Sequence, residues 1–236
     1  MEYEGTFTGS AIKDGVLFDL SRDRFSCYVN GWAGNEYRCK QHSTTTYGYV
    51  FSGKSTLTYR GLRFPLAEGM YFAVPGEFSI NGGEGILIEY ANYNGFFQIG
   101  GAIEKTGRLK YINGCMDSLL ISPVRKGEPC LNSLYFPSGI VQTAHTHPSY
   151  RIGLVVEGMG ECITSLGRGA LRAGMAFVIQ EGMVHSFKTA EEEYMIVLTF
   201  HPDSDFGPED ENHPMINRTI VEGISANQKS EILTDQ

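Results

Sequence analysis

Three histidines carry the chemical signal of this chain: His145 and His147, two residues apart, and His185. If the 145–147 segment is extended, the first two imidazoles share a face, because side chains alternate along a strand. Neutral imidazole is a good ligand at physiological pH, and three of them together suit a divalent transition metal. Arg151 has the parity of the histidine pair and is expected to point the same way. A guanidinium beside a dication in a low dielectric is unfavourable unless an anion lies between or beside them. Either Arg151 grips a substrate carboxylate in a bidentate contact, or it meets an internal acid such as Glu157 or Glu181, or its head reaches out of the site. Gln180 and Glu181, just before His185, are candidates for a fourth ligand or a catalytic base. Tyr150 has the opposite parity and is expected to pack outside the site.

The elements that position these groups come from an internal repeat. The stretch Gly34 to Phe72 recurs without a gap as Gly139 to Phe177, 105 residues later. Gly34, His42, Gly48, Val50, Gly53, Arg63, Leu66, Gly69, Met70 and Phe72 match Gly139, His147, Gly153, Val155, Gly158, Arg168, Leu171, Gly174, Met175 and Phe177. Glycines held in register imply the same backbone turns used twice. Short apolar runs such as Tyr47-Gly-Tyr-Val-Phe, Ile86-Leu-Ile-Glu-Tyr, Ile152-Gly-Leu-Val-Val and Tyr194-Met-Ile-Val-Leu-Thr-Phe alternate with glycine turns, the pattern of a β-sandwich or barrel. The expected organisation is an N-terminal unit over 1–100, a second unit over 101–205 that carries the histidines, and a polar tail over 206–236. In the first copy Lys40, His42 and Ile80 stand where the second has His145, His147 and His185, so its site cannot form.

Around the histidines, Gly139 is followed after five residues by His145-Thr-His147 and then by Gly158; Gly174 precedes Gln180-Glu-Gly182-Met-Val-His185. These stretches resemble the two motifs of the cupin superfamily, and the resemblance covers both halves. It implies two tandem antiparallel jelly-roll barrels, all-β, with a metal inside the second. The family's glutamate ligand would fall at Arg151 or Ile152, its proline at Gln180 and its final asparagine at Thr189. The implied ligand set is therefore His145, His147 and His185 without a carboxylate. Such sites are similar to those of cysteine dioxygenase and of diketone-cleaving and gentisate-type dioxygenases. That likeness implies Fe(II), with Mn, Ni or Zn as alternatives. The implied function is a metal-dependent enzyme on an anionic small molecule, best read as an Fe(II) dioxygenase with Arg151 and Glu181 as catalytic groups. The alternatives are an isomerase or lyase, or a non-catalytic ligand-binding cupin.

Composition narrows the rest. The formal net charge is −8, and no Lys/Arg-rich run offers a footprint for nucleic acid or an anionic membrane. No apolar stretch approaches the ~18 residues of a membrane helix. The first residues do not read as a signal peptide, so a cytoplasmic location is expected, with a homodimer compatible. Five scattered cysteines without CxxC fit a reducing compartment. Gly48-Tyr-Val-Phe-Ser-Gly53-Lys54-Ser55 has the letters of a phosphate-binding loop, but its middle and its continuation read as strands where a helix is required. Asp203-Ser-Asp205-Phe-Gly207 lacks the remaining ligands of a calcium loop and reads as an exposed acidic loop. His201 and His213, each beside a proline, read as surface residues.

Overall fold

A computed structural model describes residues 8–165, 167–204 and 217–232. It is all-β. In chain order the strands are β1 (Thr8–Ala11), β2 (Gly15–Leu20), β3 (Cys27–Ala33), β4 (Tyr37–Cys39), β5 (Thr44–Ser52), β6 (Lys54–Tyr59), β7 (Leu62–Ala67), β8 (Tyr71–Pro75), β9 (Phe78–Asn81), β10 (Glu84–Ala91) and β11 (Gln98–Gly100). The second half continues with β12 (Leu109–Lys110), β13 (Met116–Ile121), β14 (Cys130–Phe136), β15 (Arg151–Thr164), β16 (Gly167–Arg172), β17 (Met175–Ile179), β18 (His185–Lys188) and β19 (Met195–His201). A short hairpin, β20 (Ile220–Val221) and β21 (Ile224–Ser225), lies in the tail.

The first half forms a six-stranded sheet, β11-β8-β5-β10-β3-β2, and a four-stranded one, β4-β9-β6-β7. The second half is joined as one nine-stranded sheet, β1-β17-β15-β19-β14-β13-β12, with β16 and β18 also on β15. Pairing does not follow chain order throughout: β1 lies antiparallel along β17, Thr8 opposite Val178 and Ala11 opposite Met175. The segment between the repeats supplies β12, β13 and β14 to the second barrel.

Strand alternation divides the apolar residues among three cores. Tyr47, Tyr49, Ile86 and Ile88 from the first half meet Tyr150, Ile152, Leu154 and Phe200 from the second in one buried cluster. Trp32, Leu57, Phe72, Phe78 and Ile80 fill the first barrel. Phe136, Val155, Phe177, Phe187 and Val197 line the second. The P-loop lookalike spans β5 and β6 with Gly53 at the junction, so no helix N-terminus is there to hold a phosphate.

The repeated glycines have two different reasons. Gly53 and Gly158 hold φ at +78° and +74°, a conformation that L side chains resist. Gly48 and Gly153 are not turn residues. They sit mid-strand opposite Phe72 and Phe177, and a Cβ on either would overlap the facing phenyl ring. The two halves also differ at the corner. In the first, Gly53 separates β5 from β6; in the second, β15 runs through Gly158 as one 14-residue strand that passes from β17 and β19 to β16 and β18. The five cysteines are all free and buried. Among the described residues, no helix is long and apolar enough to cross a membrane.

Candidate metal and ligand site

The segment that carries His145 and His147 is not a regular strand. It is zipped to β18 and the turn before it by scattered backbone bonds. Gln142 N donates to Phe187 O, His145 and His185 exchange N–H···O bonds at 2.9 and 3.0 Å, and Gly182 N donates to His147 O. Asn113 Oδ1 accepts from Thr143 N at 2.7 Å and ties the segment to the first strands of the barrel. This brings the three rings together with centroids 4.5–5.1 Å apart. Their candidate ligand nitrogens lie within 4.8 Å of one another. Metal–nitrogen bonds of ~2.0–2.1 Å would require the three nitrogens to draw closer than that bound.

Two of the rings are oriented by the same device. His145 Nδ1 is 2.8 Å from Thr143 O, and His185 Nδ1 is 2.9 Å from Met183 O. A carbonyl only accepts, so Nδ1 carries the proton and Nε2 keeps its lone pair for a cation. Burial, then Arg151 and the neighbouring imidazoles, depress His147 to about 3. Burial also dominates at His185, held at about 4 with Met183 O opposing. Both are therefore neutral near pH 7, the form a metal requires.

Beside the triad lies a cavity of about 70 Å³ (the room open to the centre of a water molecule). Phe136, Phe177, Phe187, Leu134, Ile179 and Val197 make its apolar wall, and Tyr111, Asp117, Gln142, Arg151, Thr199 and His201 bring polar groups to it. Among the described residues, four buried side-chain atoms lack a hydrogen-bond partner within the protein: Gln142 Nε2 and Oε1, Arg151 Nε and His201 Nε2. All belong to residues of this one cavity. Unpartnered buried polar atoms cost free energy, so a cluster of them at one place is where bound water or a ligand would satisfy them.

Arg151 opens β15 and lines the cavity, with only 9% of its surface exposed. Its Nη1 donates to Ser149 O, Ser149 Oγ and Tyr150 O at 3.1, 2.6 and 3.0 Å. Burial works against its charge and the nearby Asp203 works for it. Neither acid first considered for it is the partner: Glu157 bonds to Tyr194 Oη, and Glu181 lies 3.8 Å from Arg24. Gln180 and Glu181 are exposed and absent from the cavity lining. Tyr150 is fully buried in the core between the halves, its hydroxyl donating to Phe25 O at 2.7 Å.

His201 departs from the surface position read from the sequence. The residue as a whole is half-buried, yet its Nε2 is shut off from solvent and its ring lines the cavity. Burial, then Arg151 and His147, hold it well below the ordinary imidazole range. The signal was available, since Val197, Thr199 and His201 share one parity along β19 and all line the cavity. Asp117 was also missed, lying between the two repeated stretches; burial raises its pKa while Asn132 Nδ2, at 3.0 and 2.8 Å, opposes the shift. Asp203 is half-buried and accepts from Ser149 Oγ; Asp205, Gly207 and His213 lie outside the described residues. In the first half Ile80 is fully buried, and His42 faces solvent 3.6 Å from Glu77.

No family model and no curated protein matches the chain. Solved structures do. A cupin 2 conserved barrel domain protein from Leptotrichia buccalis aligns over 86% of this chain and 92% of its own, with TM-score 0.57 and 14% identity. Protein Ylba from E. coli aligns over 89% and 95%, with TM-score 0.61 and 17% identity. Salicylate 1,2-dioxygenase from Pseudoaminobacter salicylatoxidans, in a structure of its adducts with gentisate, aligns over 75% and 68%, with TM-score 0.56 and 12% identity. At these identities the likeness shows the fold alone: the chain has the fold of two tandem cupin barrels, with a histidine triad in the second.

Proposed function

We propose that this two-cupin chain is a metal-dependent enzyme acting on a small, carboxylate-bearing organic molecule, with Fe(II)-dependent dioxygenation as the reaction class. One observation carries the reading: the buried polar atoms left unpartnered gather in the cavity that the histidine triad borders. His145, His147 and His185 would hold the metal through their Nε2 atoms. An Fe(II) there would supply a redox-active centre with open positions for substrate and dioxygen.

The chain's own groups divide the remaining work. Arg151 spends Nη1 on Ser149 and Tyr150 and keeps Nε for an anion in the cavity. Gln142, 3% exposed, offers a donor and an acceptor to orient that molecule. His201, neutral near pH 7, takes the place first considered for Glu181 as the group able to accept a proton. The phenyl rings keep bulk water from the reacting atoms. The structural likeness to salicylate 1,2-dioxygenase agrees with an aromatic or other small carboxylate but is too distant to select one.

A carboxylate-free set of three nitrogens also accepts Mn, Ni or Zn. Isomerase or lyase chemistry is therefore the second reading, and the lost carboxylate position at Arg151 leaves a binding-only cupin as the third. Elemental mass spectrometry of tag-free protein separates them, with His145→Ala/His147→Ala as the control. About one iron per chain, lost in the control, followed by oxygen uptake with small carboxylates, is the expected result. Stoichiometric Mn, Ni or Zn moves the chemistry away from oxygen. No metal after reconstitution overturns the enzyme reading.

A further inference from the structure

Arg24 lies between β2 and β3, in the half whose histidine cluster is missing. Its Nη2 nevertheless donates to Pro148 O, the residue after His147, at 2.8 Å. The same nitrogen is 3.8 Å from Glu181 Oε2 and 4.0 Å from Asp203 Oδ2. Glu181 lies shortly before His185, and Asp203 just after His201. One guanidinium of the first barrel thus touches three separate segments of the second, each adjoining a histidine of the cavity. The connection continues inward. Ser149 Oγ donates to Asp203 Oδ1 at 2.6 Å and accepts from Arg151 Nη1 at 2.6 Å.

Stability alone is a weak account of this arrangement. The Arg24 and Glu181 side chains are 57% and 52% exposed, and ion pairs in that setting contribute little. The barrels are already joined by a large apolar core. Arg24 itself is placed from behind: its guanidinium lies 4.5 Å from the centroid of the Phe25 ring, and Phe25 O accepts the buried Tyr150 hydroxyl. The carbonyl it grips belongs to an irregular segment without a full strand ladder to hold it.

We propose that Arg24 is a positioning residue, through which the first barrel sets the geometry of the second barrel's site. It fixes Pro148, and with it the approach of His147 to the triad centre. Through Asp203 and Ser149 it also fixes the angle at which Arg151 enters the cavity. The inference rests on the metal-binding reading of the triad and adds that the half without a site of its own controls the half that has one.

The test is Co(II) titration of the metal-free full-length protein, followed by its visible d–d absorption, alongside thermal melts. Arg24→Ala is expected to weaken Co(II) binding about tenfold, at the low end for residues that orient metal ligands, and to shift the bands while the melting temperature stays within a few degrees. Arg24→Lys, which keeps the charge and a donor for Pro148 O, should recover much of the affinity. If Arg24→Ala fails to fold, Asp203→Asn tests the inner arm and should shift the Co(II) bands by itself. Wild-type affinity and spectrum in Arg24→Ala, or in Asp203→Asn where Arg24→Ala does not fold, would overturn the proposal while leaving the metal reading intact. A wild-type protein that does not bind Co(II) would overturn the metal reading first, and the role of Arg24 with it.

Discussion

Arg151 is a buried cation whose Nη1 bonds are all to neutral oxygens of Ser149 and Tyr150. Removing one partner of a buried charge interaction is destabilising, and Arg151 is supported by Asp203 and bonds three oxygens. Arg151→Met should therefore melt below the wild-type temperature. Its affinity for the carboxylate found by oxygen uptake should fall about tenfold or more, as hydrogen bonds to a charged group are worth ~1.5–3 kcal/mol. Reduced stability with unchanged affinity would make Arg151 a structural residue. His201 gives a pH test with a definite sign. Its folded pKa lies well below 6.5, while the unfolded chain takes up that proton below about 6.5. Protons then favour unfolding, and stability rises with pH across that window. His147 and His185, at about 3 and 4, act in the same direction. Metal-free protein should lose melting temperature steadily from about pH 7 to about pH 5, and His201→Phe should flatten that slope. An identical slope in the variant would mean that the ring titrates in solvent.

At the scale of elements, the glycine register is the best-read feature of the sequence, and only part of its reason is readable there. Spacing shows that Gly48 and Gly153 must recur; it does not show that each lies beneath a phenylalanine on the neighbouring strand. Gly153→Ala should destabilise the fold by about 1–3 kcal/mol, the usual cost of overpacking. Phe177→Leu should recover part of that loss when added to it, because the two side chains compete for one space. Additive losses in denaturant melts would show that the clash is not the cause. The same contrast runs through the site. His145, His147 and His185 are visible because a motif spaces them. Gln142 is hidden inside the spacer of that motif, and its segment is too irregular for parity to be followed. Asp117 comes from a strand whose place in the barrel is set by pairing with β14, which spacing alone does not reveal.

For the whole molecule, the repeat correctly predicts two barrels, but it gives no hint of how much they share. Tyr47, Tyr49 and Ile88 of one half and Ile152, Leu154 and Phe200 of the other form a single buried cluster. Thermal and denaturant unfolding should therefore show one transition, coincident by far- and near-ultraviolet circular dichroism. Two separated transitions would mean that the shared core contributes little. A chain shortened to begin at residue 101 should expose the apolar faces of Ile152 and Leu154 and leave β17 unpaired on its outer edge, so it is expected to associate or aggregate.

The pairing of β1 with β17 also sets a timetable. Thr8–Ala11 is made before every other described strand, yet the strand it needs is made only after the whole first barrel and most of the second. During synthesis this leading segment must wait, solvated and without its neighbour, while the barrel downstream assembles. Closure of the second sheet is thus a late event: a nascent chain that stops short of Met175–Ile179 leaves Thr8–Ala11 without a strand to pair with.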